Sequence, residues 1–247
     1  MAQIALVTGA ASGLGNVIAA RLHAAGYRVA LTDHQEALAR DAAARLDPSG
    51  ATAMALKLDV RHKGDFEAAL QAVIAQWGGV QVLVNNAAMT PTTPVMQITP
   101  EEFDAVLAVN LRGTFFGCQV LGAHMAAAGY GRIINLASLA GQNGGTASGA
   151  HYGASKGGIL TLNKIFAREL AGANVTVNAI APGPMDLPSV RAAVPPERLE
   201  KIIDTVIPVK RLGNPEFVAK LVVQLAAPDA DFATGATWDV NGGIFMR

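Results

Sequence analysis

The chain has 247 residues, enough for one α/β domain with a sizeable core, and 51% of them are hydrophobic. Its 19 basic residues balance its 19 acidic ones, which argues against a nucleic acid or another polyanion as the main partner. A single cysteine, Cys118, excludes an internal disulfide and fits a reducing compartment. The first predicted strand starts at residue 3, which leaves no room for a signal peptide, and no run of 18 or more apolar residues predicts a membrane span. We therefore expect a cytoplasmic protein that does not bind membranes.

Seven short runs rich in Val, Ile and Leu alternate with helical patterns, which is typical of βαβ units and a parallel sheet. We predict strands near residues 3–7, 28–32, 52–58, 81–84, 131–137, 174–180 and 236–240. Gly26, Gly78, Gly129 and Gly172 are expected to end helices. The pattern indicates a doubly wound α/β fold, in which ligands bind beyond the carboxyl ends of the strands.

The first predicted strand runs directly into a glycine-rich turn, Thr8-Gly-Ala-Ala-Ser-Gly-Leu-Gly15, and then into a helical pattern. Glycine leaves room for a phosphate, and the N-terminus of the following helix offers unpaired N–H groups. A tight turn requires glycine in any case. The turn therefore indicates nucleotide binding only in combination with other motifs.

Tyr152 and Lys156 are four residues apart, which places both side chains on one face of a helix. A neighbouring positive charge favours the phenolate, so we expect Lys156 to lower the pKa of Tyr152. Such a tyrosine can act as a general acid or base. The alternative is an ordinary amphipathic face in which the lysine extends its stem over apolar surface.

Together, the motif Thr-Gly-x-x-x-Gly-x-Gly at 8–15 and the motif Tyr-x-x-x-Lys at 152–156 resemble the short-chain dehydrogenase/reductase family. Further matches follow in the family's order along nearly the whole chain: Asp59-Val60, Asn85-Asn86-Ala87, Asn110, Gly131 to Ser138, Val177-Asn178, Pro182-Gly183, Thr234-Gly235 and Gly242-Gly243. The resemblance implies one Rossmann domain over residues 1–247, with a seven-stranded parallel sheet between two layers of helices. Family members generally form tetramers through the Tyr-Lys helix and the last strand, so we expect a homotetramer.

The resemblance also implies roles for particular residues. Tyr152 would exchange a proton with the substrate oxygen, and Lys156 would lower its pKa and hold the nicotinamide ribose. Ser138 would bind the substrate oxygen, and Asn110 would help place a water that links Lys156 to solvent. The cofactor would be bound by Tyr152 and Lys156 together with Gly9, Ser12, Gly13, Leu14, Gly15, Asp33, Asp59, Val60, Asn86, Ala87, Pro182, Gly183 and Met185. Asn85 and Ile180 would help shape the ribose and nicotinamide site.

Asp33 at the end of the second predicted strand bears on the choice of cofactor. An acidic group there accepts hydrogen bonds from a ribose 2′-hydroxyl and repels a 2′-phosphate, so we expect NAD. No lysine or arginine occurs at residues 10–11 or directly beside Asp33. Asp33 followed by Glu36 is also a capping-box pattern that would open the next helix.

Two stretches depart from the family pattern near the expected substrate site. Ser138 and Tyr152 are fourteen residues apart, where thirteen is usual, so residues 141–149 are expected to carry one extra residue. Residues 184–188 lack the threonine that commonly binds the nicotinamide carboxamide. The proline-rich segment 184–215 is predicted to form a mobile lid, with apolar contacts from Met89, Met185, Leu187 and Val190.

These observations predict an NAD(H)-dependent enzyme that interconverts a ketone and a secondary alcohol. A 3-oxoacyl-thioester reductase, acting on a coenzyme A or acyl-carrier-protein ester, is the alternative. An acidic carrier protein is poorly supported, because residues 126–130 and 172–174 lack positive charge. A non-catalytic NAD-binding module is a remote third possibility. Five scattered histidines, none of them in a His-x-x-x-His pattern, predict no metal site.

Overall fold

The computed structural model describes residues 2–145 and 149–247. Its seven strands form one parallel sheet in the order β3-β2-β1-β4-β5-β6-β7. The strands are β1 Ile4–Thr8, β2 Arg28–Asp33, β3 Ala53–Lys57, β4 Val82–Asn85, β5 Gly131–Leu136, β6 Val175–Pro182 and β7 Thr237–Val240. All seven predicted strands are confirmed, as is the doubly wound parallel fold, and each boundary lies within two residues of its prediction.

Helices connect the strands and cover both faces of the sheet. They are α1 Gly13–Ala24, α2 Glu36–Leu46, α3 Lys63–Trp77, α4 Pro100–Leu107, α5 Gly113–Ala128, α6 Ala140–Asn143, α7 Ala150–Leu170, α8 Pro188–Ala193, α9 Pro196–Thr205 and α10 Pro215–Ala226. A π-helical turn, Ala108–Arg112, joins α4 to α5. The strand order reverses between β1 and β4, which opens a crevice at their carboxyl ends.

The core consists of two apolar layers, one on each face of the sheet. Ile18 and Leu22 of α1 pack with Val222 of α10 on one face. Phe66 of α3 and Leu121 of α5 are fully buried on the other face. Because every residue of β1 and β4 is buried, the sheet gives the crevice between them a rigid floor.

The continuous helical stretch Pro100–Ala128 has a mean hydropathy of 1.2 and is, within the described residues, the one helix long and apolar enough to cross a membrane. Its second half packs in the core of this fold. Cys118, Leu121 and Met125 all lie in the apolar layer beneath the sheet. The core therefore accounts for the apolar character of this stretch.

The predicted helix ends are correct at three glycines and wrong at a fourth. Gly26 adopts a left-handed backbone conformation, φ 91°, just after α1. Gly78 and Gly129 adopt left-handed backbone conformations directly after α3 and α5. Gly172 does not end α7. The helix tightens into the 3₁₀ turn Ala171–Ala173, and Asn174 takes the left-handed conformation with φ 59°. Among residue types, asparagine is second only to glycine in tolerating this conformation.

A buried chain of side-chain amides crosses the sheet beneath α7. Asn85 donates to Asn135 at 2.9 Å, Asn135 donates to Asn163 of α7 at 3.2 Å, and Asn163 donates to the Ala236 carbonyl at 3.2 Å. The Cys118 thiol lies 3.5 Å from the Asn135 oxygen. Asn85 thus lies on the α5 face of the sheet, away from the crevice, so its expected role in shaping the ribose and nicotinamide site is wrong.

The amide chain predicts a stability effect that can be measured without an activity assay. Asn135→Ala should lower the free energy of unfolding by about 2 to 4 kcal/mol, because it leaves a buried donor of Asn85 and a buried acceptor of Asn163 unpaired. Urea unfolding measures the loss. Gln71→Ala, on the exposed side of α3, is the matched control. Equal unfolding midpoints for the two variants would contradict a stabilising role for the chain.

Candidate active site

Hydrogen bonds join the turn after β1 to the segment after β4. The Thr8 hydroxyl accepts the N–H groups of Asn86 at 3.0 Å and Ala87 at 3.1 Å. The Asn86 side chain donates to the carbonyls of Thr8 at 2.9 Å and Gly9 at 3.1 Å. Gly9 has φ +63°, and a Cβ there would lie 2.8 Å from the Ala87 Cα. Only glycine fits this position, so the two strand ends form one continuous surface.

A groove of about 480 Å³ opens at the carboxyl ends of β1, β2 and β4. Seven of the predicted cofactor residues line it: Gly9, Ser12, Asp33, Asp59, Val60, Asn86 and Ala87. Gly13 and Gly15 lie in the first turn of α1 and do not line it. A Cβ on Gly15 would collide with Gly9 and Asn86, whereas a Cβ on Gly13 would meet nothing within 4 Å. Glycine at 15 therefore serves the packing of the turn.

Asp33 stands at the end of β2 and is only 8% exposed. Its carboxylate accepts the N–H groups of Ala11 at 3.3 Å and Gln35 at 3.0 Å, and it lies 3.0 Å from the His34 ring. Helix α2 begins at Glu36 with Gln35 as its N-cap, so the capping-box alternative is wrong. Asp33 is held facing the groove by the backbone on both sides of it.

Asp59 is paired with a residue that the sequence analysis did not single out. Arg61 lines the same groove, and its guanidinium contacts both Asp59 oxygens at 2.5 to 3.0 Å. These contacts lower the pKa of Asp59 to about 2. The Arg61 charge is therefore already balanced within the groove.

A second cavity of about 520 Å³ continues from the first, and Asn86 and Ala88 line both. Eight of the predicted site residues meet in it: Leu14, Asn86, Ser138, Tyr152, Lys156, Pro182, Gly183 and Met185. The two cavities together form one elongated site with an acidic residue near one end and Tyr152 near the other. This shape fits a dinucleotide whose pyrophosphate would lie at the turn after β1.

Tyr152 and Lys156 lie in the first two turns of α7, as predicted, and the Lys156 Nζ is 5.7 Å from the centre of the Tyr152 ring. Lys156 donates to the Leu136 carbonyl at 2.6 Å, and burial lowers its pKa to about 8. Burial raises the pKa of Tyr152 above 10, while the hydroxyls of Ser138 and Thr90 act in the opposite direction. The expected lowering by Lys156 is therefore not seen, because burial dominates and the ammonium faces Leu136.

Asn110 is fully buried but does not line either cavity. It lies in the π-helical turn, accepts the Met89 N–H at 2.8 Å, and donates to the Met89 carbonyl at 3.0 Å and to the Ser155 hydroxyl at 3.0 Å. Both of its amide hydrogens are thus in use. The structure gives Asn110 a contact that anchors the segment after β4, and its expected water-placing role stays a prediction.

Thr90 and Thr92 also line the second cavity, and the sequence analysis missed both. They follow β4 by five and seven residues, at the edge of the sheet where ligands bind. That position is the signal that could have identified them. Hydroxyl residues near a strand end are common, so chain order alone does not distinguish these two.

Residues of segment 184–215 line the second cavity, and the lid expected of this segment stays a prediction. Val190 and Val194 near α8 and Leu199 and Ile202 of α9 line the cavity with apolar surface. Met185 and Leu187 line it too, whereas Met89 lies in the first groove instead. Of the stretch 141–149, expected to hold one extra residue, residues 146–148 lie outside the described part of the chain.

Helix α7 was expected to take part in a subunit interface, and it carries the small residues Ala154, Gly157 and Gly158. In the structure, Gly158 faces Leu111 of the same chain, and Gly157 lies nearest to the carbonyl of Gly141. Ala154 is exposed. The two glycines therefore serve packing within the subunit, which removes the argument from them for a subunit interface.

Comparison with known proteins gives a consistent result over the whole chain. A family model described as enoyl-(acyl carrier protein) reductase matches residues 9–245. An acetoacetyl-CoA reductase of Rhizobium meliloti (strain 1021) is 40% identical over the full length of both chains. A 2-(R)-hydroxypropyl-CoM dehydrogenase of Xanthobacter autotrophicus is 37% identical, with 98% of each chain covered.

A solved structure agrees in fold. It is a 3-ketoacyl-(acyl-carrier-protein) reductase from Brucella melitensis complexed with NADH, 31% identical, with a TM-score of 0.89, covering 99% of this chain and 98% of that one. The motif order, the nicotinamide-cofactor site and this similarity agree. The chain belongs to the short-chain dehydrogenase/reductase family of oxidoreductases.

Proposed function

We propose that the protein reduces 3-oxoacyl thioesters of coenzyme A to 3-hydroxyacyl thioesters with NADH. The observation that carries this proposal is the second cavity. Among its polar residues, the Ser138 hydroxyl interacts with the Tyr152 phenol, and residues of segment 184–215 supply an apolar wall. A short 3-oxoacyl group has the same character, with one reacting ketone and an apolar chain. The similarity to an acetoacetyl-CoA reductase supports this alternative over a general secondary-alcohol dehydrogenase.

Several polar groups in the cavity have distinct parts in the proposed reaction. A reduced nicotinamide, when bound, would supply the hydride for the carbonyl carbon. Tyr152 donates its phenolic proton to the carbonyl oxygen, so that the ketone becomes a secondary alcohol. The Ser138 hydroxyl accepts the Ala140 N–H at 3.1 Å, which leaves its own hydrogen to stabilise the oxygen as negative charge develops. The hydroxyls of Ser138 and Thr90 favour the phenolate that remains, and Lys156 would hold the nicotinamide ribose.

Coenzyme A is favoured over an acyl-carrier protein because of where the positive charges lie. Residues 126–130 and 172–174 carry none. Arg132 follows the first of these stretches, but it is 1% exposed and donates to the carbonyls of Ala227 and Pro228 at 3.2 and 2.8 Å. This guanidinium is therefore used within the fold and is not free to meet an acidic carrier.

NAD is favoured over NADP because of Asp33. A 2′-phosphate placed beside this carboxylate would meet negative charge at short range in a partly buried site. Arg61, the one lysine or arginine among the described residues that line the groove, is neutralised by Asp59. The charge balance near Asp33 thus supports a ribose with a free 2′-hydroxyl.

A secondary-alcohol dehydrogenase acting on a smaller ketone is the second candidate. The similarity to a 2-(R)-hydroxypropyl-CoM dehydrogenase favours it, since that name describes oxidation of a secondary alcohol. The same residues would serve both reactions. The two candidates differ in whether the cavity accepts a thioester.

Three further features belong to the proposal. Segment 184–215 would act as the substrate lid over the cavity. The protein would form a homotetramer in the cytoplasm, where a single buried cysteine, Cys118, needs no partner. The chain 1–247 would act as one domain.

The proposed substrate can be tested directly. Acetoacetyl-CoA should be reduced rapidly with NADH and much more slowly with NADPH, as measured by the initial rate of cofactor oxidation. Turnover of small ketones alone, by a protein that still binds NADH, would select the second candidate. A clear preference for NADPH would contradict the role of Asp33.

Tyr152→Phe tests the proton donor. It should lower kcat by about 10² to 10⁴-fold, because the phenolic proton is lost while the ring remains. NADH binding, followed by its fluorescence, should change little. Tyr130→Phe, which loses only a hydrogen bond from Gln3, is the matched control and should keep the original rate. A Tyr152→Phe enzyme with the original kcat would rule out this mechanism.

Asp33→Ala tests the choice of cofactor. It should raise kcat/KM for NADPH by about 10-fold or more and lower it for NADH, because repulsion of the 2′-phosphate and hydrogen bonding to the 2′-hydroxyl are both removed. Asp41→Ala, on the exposed face of α2, is the control for a general change in charge. If the ratio of the two kcat/KM values is the same in both variants, Asp33 does not select the cofactor.

A further inference from the structure

His151 precedes Tyr152 and is completely buried, although the sequence gives it no assigned role. Helix α7 has Gly149 as its N-cap, so no side chain at that position can accept an N–H of the first turn. The Nδ1 atom of His151 accepts the Tyr152 N–H at 3.0 Å instead. This hydrogen bond requires a ring with its proton on Nε2. His151 therefore caps the backbone of the proposed proton donor.

The other ring nitrogen faces a carboxylate from a different helix. The His151 Nε2 lies 3.1 Å from the Glu102 Oε1 of α4, and the Thr93 hydroxyl donates to the same oxygen at 2.6 Å. The hydrogen bonds from Thr93 and His151 hold the pKa of Glu102 below its ordinary value. Glu102 thus links the first turn of α7 to the segment after β4.

That segment, residues 88–93, is held at three points. Asn110 binds both backbone polar groups of Met89, and the Gly149 N–H donates to the Pro91 carbonyl at 3.0 Å. Thr93 forms the third attachment, to Glu102. Thr90 lies between these attachments and lines the cavity beside Tyr152. The distance between the Thr90 hydroxyl and the Tyr152 phenol therefore depends on how firmly the segment is held.

We propose that His151 and Glu102 are positioning residues, which act through Thr93 to hold the Thr90 hydroxyl against the Tyr152 phenol. This inference rests on the proposed role of Tyr152 as the group that exchanges the proton. A hydroxyl that donates to the phenolate stabilises it, so correct placement of Thr90 brings the tyrosine closer to its working range. The pair would thereby tune the acid or base without touching the substrate.

Glu102→Ala, assayed in the oxidative direction with 3-hydroxybutyryl-CoA and NAD, is the main test. In that direction Tyr152 must lose its proton, so kcat rises with pH through the apparent pKa of the phenol. Loss of the Thr90 contact should move that inflection upward by about 0.5 to 1 pH unit, and kcat at pH 7.5 should fall by about 3 to 10-fold. The KM for NAD should stay within about two-fold, because the nucleotide groove is not altered.

Companion variants distinguish a positioning role from simple support of the fold. Glu102→Gln should restore the original inflection, since its amide oxygen can accept both hydrogen bonds. Glu101→Ala, at the neighbouring exposed position of α4, should leave the profile unchanged. Thr90→Val should reproduce the upward shift, and the double variant Thr90→Val/Glu102→Ala should shift no further than Thr90→Val alone. If Glu102→Ala does not fold, Thr93→Val provides the same test, because it removes the third attachment.

The outcomes distinguish this inference from the proposed function. An unchanged inflection in folded Glu102→Ala or Thr93→Val would overturn the positioning role and leave the pair as a helix cap. Additive shifts in the double variant would overturn it as well, because the two residues would then act independently. Full activity in Tyr152→Phe would instead overturn the proposed function, whatever the Glu102 variants show.

Discussion

The hydrogen bonds between Thr8 and the segment after β4 are the constraint on which the site depends. A parallel sheet brings strand ends to one edge, but it does not by itself set the distance between the loops that follow. Here the Thr8 hydroxyl accepts two successive N–H groups, and Asn86 returns two hydrogen bonds to the turn after β1. The turn that would meet the pyrophosphate and the segment that carries Thr90 are therefore one unit.

The site also depends on the electrostatic environment of Lys156 and Tyr152. Lys156 is 3% exposed, and its principal contact is the Leu136 carbonyl, so its charged form is disfavoured relative to water. A buried ammonium that still carries its proton near neutrality is a strong source of field in a medium of low polarisability. The same burial opposes ionisation of Tyr152. The chemistry of the cavity depends on the balance between the field of the ammonium and the burial of the phenol. The hydroxyls around the phenol adjust this balance.

The sequence predicted the fold well because each strand is a compact apolar run and each ligand motif follows a strand. It also identified many of the residues that line the two cavities, from Gly9 to Met185. The predictions from the sequence were less accurate where the direction of a side chain decides the role of the residue. Asn85 and Asn86 are adjacent, yet one joins the buried amide chain and the other holds the turn, because successive strand residues face opposite sides.

Other differences arise from interactions between distant parts of the chain. Arg61 neutralises Asp59, and Asn110 anchors Met89; neither contact follows from local pattern. Asn174 and not Gly172 takes the left-handed conformation after α7, because a 3₁₀ turn lies between the helix and that residue. Thr90 and His151 were given no role from the sequence, since each has a partner many residues away in the chain.

Burial beside the amide chain also decides the chemistry of the only thiol. Cys118 lies between Asn85 and Asn135, and burial raises its pKa to about 12. Alkylating reagents and disulfides react with the thiolate, which this environment keeps protonated at physiological pH. The folded enzyme should therefore be indifferent to glutathione and to maleimides. Labelling of Cys118 would report that the sheet and α5 had separated, which makes the thiol a built-in probe of unfolding.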